Sequence, residues 1–183
     1  DEPTAQIIHD AVHQDGADVT FSSRAVLKSV LALFDAAGLE PVIAPELEFF
    51  LVKQSSDANA PLITPPGRSG RAEKARQAYG IDAVNEFDPL FEDIYDHCDV
   101  QGLDIDTLSH EAGAAQMEIN FNHGHALDLA DQAFLFKRTV RQAAINHHLH
   151  APFMAKPMQE QPGSAMHVHV SVKSKESGKN IFS

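Results

Sequence analysis

The chain has 183 residues, 43% apolar and 22% charged, which is enough for one domain with a real core and ordinary for a soluble globular protein. Its net charge of −12 argues against a nucleic-acid partner, which demands a basic face, and suits a protein that handles divalent cations or cationic small molecules. No run of about 18 apolar residues occurs, so no membrane-spanning helix is expected, and the lone cysteine, Cys98, rules out an internal disulfide framework and points to a reducing, cytoplasmic setting.

The N-terminus, Asp1-Glu2-Pro3-Thr4, is acidic and polar, the wrong chemistry for a secretory leader. It also lacks an initiator methionine, so an internal piece of a longer protein is expected. Residues 22–37 predict a helix: Val26, Leu27, Val30, Leu31 and Phe34 fall on one stripe, Ser22 or Ser23 can cap its start, and Gly38 ends it. A strand follows over 41–52, an apolar run interrupted by two glutamates. Residues 55–87 form a long polar stretch broken at Pro61 and Pro65-Pro66-Gly67, with Arg68, Arg71, Lys74 and Arg76 clustered in it; loops of this length tend to be functional or mobile.

Residues 88–102 predict a second helix, with Leu90, Phe91, Ile94, Tyr95 and Cys98 on one face, Pro89 in the first turn and Gly102 closing it. Strands are expected over 103–110 and 115–121, joined by a turn containing Gly113. The strongest helical pattern runs over 127–148, where Phe134, Leu135, Val140 and Ala144 recur at helical spacing. Two further strands are expected near 152–156 and 165–172. From Pro41 onward this β-α-β-β-α order, then β-β, predicts an α+β fold with helices packed on a largely antiparallel sheet.

Four glutamates and two histidines stand out within these strands. Glu46 and Glu48 are two apart, so on a strand both carboxylates face one way while Leu47 and Phe49 face the other. Adjacent carboxylates in an apolar strand repel and lose hydration, costs that a cation or shared proton relieves; otherwise they lie on an edge strand facing water. Glu111 and Glu118 bracket the expected turn and could meet at one edge of a site, or be solvated hairpin charges. His167 and His169 share a strand face and could ligate metal, bond phosphate or be half-buried. A His-x-His strand also fits a cupin-type metal barrel, but that pattern wants a glutamate four or five residues on, and Glu176 lies seven beyond His169. Hard oxygen donors with one imidazole and no nearby cysteine suit Mg²⁺ or Mn²⁺, and two such ions are a recurrent solution for phosphoryl transfer. His147, His148 and His150 are expected as solvated residues at a helix end, and His123 and His125 carry no assigned role.

Taken in order, these motifs resemble the catalytic domain of the glutamine synthetase family. The matching blocks are Pro45-Glu-Leu-Glu-Phe-Phe-Leu51, His110-Glu-Ala-Gly-Ala-Ala-Gln-Met-Glu-Ile-Asn120, Phe136-Lys-Arg138, Phe153-Met-Ala-Lys-Pro157, Gly163-Ser-Ala-Met-His-Val-His-Val-Ser171 and Asn180-Ile-Phe182. The similarity runs from about residue 20 to the end. It implies that Glu48, Glu111 and Glu118 hold one metal, and that Glu46 and His167 are two ligands of a second. It implies nucleotide contacts at His169, Ser171 and Asp106, and a backbone contact to the acidic substrate at Gly163.

The resemblance further implies phosphorylation of the γ-carboxylate of glutamate by ATP, with Mg²⁺ or Mn²⁺, followed by amine attack on the acyl phosphate. Pro162-Gly-Ser-Ala-Met, the Gly67–Arg71 run and the segment 83–91 are similar to the γ-glutamylputrescine synthetase branch, which points to an amine larger than ammonia. Val170, where that branch usually has Gln, and His125, where it usually has Asp, depart from it. Residues 1–183 therefore correspond to part of a catalytic domain. The family's small N-terminal domain, its downstream arginines and the third ligand of the second metal lie outside them. The resemblance implies ring-shaped homo-oligomers for the whole protein and little ligase activity for these residues alone. Glutamine synthetase proper, using ammonia, and a non-catalytic relative that keeps the fold and binds metal or nucleotide are the alternatives.

Overall fold

A computed structural model describes residues 5–57 and 59–182. Its elements run α1 (Ser23–Ala36), β1 (Leu39–Phe50), β2 (Val52–Lys53), α2 (Ile81–Asn85), α3 (Asp88–Gln101), β3 (Ile105–His110), β4 (Gln116–Phe121), β5 (Gly124–His125), α4 (Ala126–Asn146), β6 (Leu149–His150) and β7 (Met166–Ser174). The main sheet has the order β3-β4-β1-β5, with β7 also paired to β1, and the pairings β1–β4, β1–β5 and β3–β4 are antiparallel. The expected α+β class with a largely antiparallel sheet is what forms. Among the described residues no helix is long and apolar enough to cross a membrane.

The chain divides into two compact units. The first comprises the segments up to Ile43, Gly124–Asp131 and from Val170 onward. There α1 starts where the sequence predicts: the Ser22 hydroxyl accepts from the Ala25 N–H, and Gly38 leaves the helix at φ 71°, a left-handed turn that costs glycine nothing. Arg24 is forked onto the Asp131 carboxylate and also bonds Asp10, which takes a second ion pair from Lys28 at 2.9 Å. The predicted apolar stripe is only half-covered: Leu27, Leu31 and Phe34 are half-buried, while Val26 and Val30 are exposed. Helical periodicity identified the face, but periodicity does not report how much protein covers it.

The second unit comprises Ala44–His123 and Gln132–His169 and holds most of the buried core. Its organising feature is the register of β1 on β4: Leu47 opposes Ile119 and Phe49 opposes Met117, while Glu46 opposes Asn120, Glu48 opposes Glu118 and Phe50 opposes Gln116. Because side chains alternate along each strand, the first set lines one face and the second set the other. The apolar face is sealed by Phe136 of α4, set edge-on to Phe121 at 5.2 Å, and by Phe153 against Phe49 at 5.1 Å. Helix α3 buries Leu90, Phe91, Ile94 and Cys98, as its periodicity predicts, and ends at Gly102 in the left-handed conformation. Burial pushes the Cys98 thiol up to about 12, so it is an inert packing group.

Three expectations are corrected. Residues 152–156 form no strand: Pro152 has no N–H to give a ladder, its carbonyl takes one bond from Phe50, and Phe153 is fixed by ring packing instead. The short strand β6 (Leu149–His150), paired with β2, precedes this segment. Phe134 does not belong to the buried stripe of α4; it is 66% exposed, and Ala133, Phe136, Val140, Ala143 and Ala144 are among the residues that are buried. His147, expected as a solvated cap, bonds Asp93 at 2.6 Å.

Candidate functional site

The polar face of β1 and β4 gathers the carboxylates. Glu48 and Glu118 are directly opposed across the two strands, and Glu46 lies two residues from Glu48 on the same face. Strand β1 is flanked on both sides, so Glu48 is not an edge residue in water; only 8% of it is exposed. Strand β7 brings His167 alongside: its Nδ1 lies 3.2 Å from Glu46 Oε2 and 3.9 Å from Glu48 Oε1. Ligand atoms of Glu46, Glu118 and His167 all fall within 4.8 Å of one another, a separation one cation can bridge. His169, on the same face of β7, bonds Glu46 Oε1 through Nε2 at 2.6 Å, so Glu46 is bracketed by both imidazoles.

Glu111 arrives from the β3–β4 turn, which closes with the Glu111 N–H on the Gln116 carbonyl. Burial, then the charge of Glu48, raises the Glu111 carboxyl above its ordinary range. Burial, then the charges of Glu46, Glu111 and Glu48, does the same to Glu118. These shifts mark one pocket of mutually repelling carboxylates short of positive charge. Four oxygen donors and an imidazole with no thiolate fit a hard divalent cation such as Mg²⁺ or Mn²⁺.

Other residues singled out in the sequence stand differently. Gly163 lies beside the cluster: its carbonyl accepts from the Gln116 side chain at 2.9 Å. A Cβ there would meet the Ala155 carbonyl oxygen at 2.8 Å, so the position tolerates no side chain without moving backbone. Asp106 sits at an irregularity of the β3–β4 pairing, with an exposed side chain that accepts from Thr107, and is not among the groups that shift Glu111 or Glu118. Ser171 is half-buried on β7 and belongs to the first unit. In the basic run, Arg68 pairs with Asp88 at 2.7 Å, while Arg71 and Lys74 line a cavity of about 590 Å³ together with Glu73, Asp82 and Glu86.

Two buried polar groups escaped the sequence reading. Glu73, from the long polar stretch, bonds His110 Nε2 at 2.9 Å and accepts the Ala115 N–H at 2.6 Å. His110 is fully buried on the apolar face opposite Met117, and its Nδ1 donates to the Glu111 carbonyl at 2.7 Å. Burial opposes the imidazolium, but Glu73's bond and charge, together with the Glu111 carbonyl and charge, outweigh it and raise the His110 pKa. Both ring nitrogens face acceptors, which fits the doubly protonated form. Gln116 is the second group, an amide buried beside Glu48. Gln116 interrupts an apolar run and could have been flagged on that ground, but His110 follows a mixed polar segment, and the partners of both lie about 40 to 70 residues away.

The family described as glutamine synthetase, catalytic domain, matches residues 20–183. Gamma-glutamylputrescine synthetase PuuA of Escherichia coli is 37% identical over 97% of this chain, and glutamine synthetase of Halobacterium salinarum is 36% identical over 100% of this chain. The chain spans 38% of the length of each of these curated relatives. Among solved structures, GmaS in complex with ADP superposes with a TM-score of 0.77 at 28% identity, over 93% of this chain and 37% of that one.

Proposed function

The chain belongs to the glutamine synthetase catalytic-domain family, and from that premise we propose that the protein carrying it joins the γ-carboxyl of glutamate to an amine at the expense of ATP. The observation that carries this reading is the convergence of Glu46, Glu48, Glu111, Glu118 and His167 around one polar sheet face. Glu48, Glu111 and Glu118 are assigned to one metal, and Glu46 and His167 to a second. Both are Mg²⁺ or Mn²⁺, which when bound supply positive charge against phosphate oxygens. His169, Ser171 and Asp106 are assigned to the nucleotide; the ADP complex of the similar GmaS structure supports a nucleotide site in this fold. The backbone at Gly163 is assigned to the acidic substrate.

The chemistry follows in two displacements. A γ-carboxylate oxygen of glutamate takes the terminal phosphoryl group of ATP and releases ADP. The amine nitrogen then attacks that carbonyl carbon, phosphate leaves, and the nitrogen loses its proton. The chain's contribution is to orient the donors and to hold the site in partly dry protein, where burial strengthens each electrostatic contact. Likeness to PuuA supports putrescine or another polyamine as the amine. A second reading, glutamine synthesis from ammonia, is favoured by the nearly equal identity to the Halobacterium enzyme. The whole protein is proposed to act as a ring-shaped homo-oligomer.

The test is a coupled phosphate-release assay on the full-length protein with ATP, Mg²⁺, glutamate and, in turn, putrescine, longer polyamines and ammonia. Release that requires glutamate and is greatest with putrescine or a longer polyamine is the expected result. A preference for ammonia selects the second reading, and no glutamate-dependent release with any of them rejects both.

A further inference from the structure

We propose that Gln116 is a positioning residue that couples the carboxylate of Glu48 to the backbone of residues 163–165, so that cation and glutamate bind with positive linkage through it. The proposal rests on the ligase reading above. Gln116 is 1% exposed, and its amide is fully used: Oε1 accepts the Gly113 N–H at 2.9 Å, while Nε2 donates to Glu48 Oε2 and to the Gly163 carbonyl, both at 2.9 Å. An amide has two N–H donors, and here one goes to a proposed metal ligand and the other to the proposed substrate loop.

Glu48 is tied to the same loop by its own atoms. Its Oε2 accepts the Ala165 N–H at 3.0 Å, and its backbone N–H donates to the Ala165 carbonyl at 3.2 Å. Oε2 thus carries two protein donors, and Oε1 is the oxygen directed toward His167. Carboxylate orientation and loop position are therefore set together. The loop has little freedom to move independently, because Ser164 N–H bonds Ala155 O at 2.9 Å and Gly163 is pressed against that same carbonyl. A cation that fixes Glu48 fixes the loop through Gln116, and an acidic substrate seated on the loop fixes Glu48. Linkage of this kind is reciprocal: each ligand changes the other's affinity by one common factor, typically on the order of 5- to 150-fold.

The experiment titrates the full-length protein with Mn²⁺ by calorimetry, with and without saturating L-glutamate, and then titrates L-glutamate with and without Mn²⁺. The expected wild-type result is tightening of each ligand by the other, by about 10-fold and by equal factors. Gln116→Met keeps the volume and removes both donors; it should bind both ligands with the factor clearly reduced, the remainder being carried by the direct Glu48–Ala165 bonds. A melting curve establishes that the variant is folded, and if it is not, Gln116→Glu, which keeps an acceptor toward Gly113, replaces it. A folded variant that retains the wild-type factor overturns the proposal, as does a wild-type protein that binds both ligands without linkage. A wild-type protein that binds neither overturns the ligase reading itself, a result distinct from unlinked binding.

Discussion

The two faces of the β1–β4 pair are built from the same strands and serve opposite ends. On one face, Leu47, Phe49, Met117 and Ile119 are buried, Phe49 packs on Phe153, which meets Phe136 of α4, and removing this apolar surface from water favours the folded state. On the other, Glu46, Glu48 and Glu118 crowd like charges that work against folding. Strain of this kind is held by the packed face behind it and is relieved by the ligand the site is proposed to hold. A stable strand pair can therefore carry an electrostatically unfavourable surface one side chain away from its core.

Substitutions can break that contrast from either side. The largest effect is expected on the apolar face: Phe136→Ala should cost about 3–5 kcal/mol, read as a lowered denaturation midpoint. On the polar face, Glu118→Gln should leave stability unchanged or slightly raised in the absence of metal, because it removes repulsion. The same change should weaken Mn²⁺ binding by about 100-fold, the upper end of what loss of even supporting residues costs metal sites. Calorimetry beside thermal melts reads both, and equal loss of stability on the two faces would remove the distinction.

His110 is a polar exception on the apolar face and sharpens the comparison. Glu73→Gln removes the carboxylate bonded to its buried imidazolium and should cost about 1–3 kcal/mol, measured by denaturant unfolding. The smallest effect is the pH dependence of the metal-free protein. Glu111 and Glu118 titrate above their ordinary 4.5, and His110 above its ordinary 6.5, so the folded state holds these protons more tightly than the unfolded chain. Their contribution is full below the unfolded pKa values and is lost as pH rises through the folded ones. Melting temperature should fall by a few degrees between mildly acidic and slightly alkaline pH, and Glu118→Gln should flatten part of that slope.

Period-two alternation made the division of β1 legible: Glu46 and Glu48 to one side, Leu47 and Phe49 to the other. Helices α1, α3 and α4 were readable from their caps and stripes. Where periodicity met a proline, as at 152–156, it mistook an aromatic anchor for a strand. Glu46, Glu48, Glu118 and His167 stood out locally because each charge or imidazole interrupts an apolar pattern, and Glu111 because it brackets the expected turn with Glu118. What holds them did not. Glu73 and Gln116 act on partners distant in the chain, and no local rule reports that a loop glutamate will fold back to neutralise a buried histidine.

Gly163 has a consequence for how the loop around it could be redesigned. Its backbone lies so near the Ala155 carbonyl that even a methyl group would have to displace main chain. Any library intended to reshape this loop must leave position 163 alone and vary flanking positions such as Pro162 or Met166. Diversity introduced at the glycine itself would be spent on misplacing the loop rather than on reshaping it.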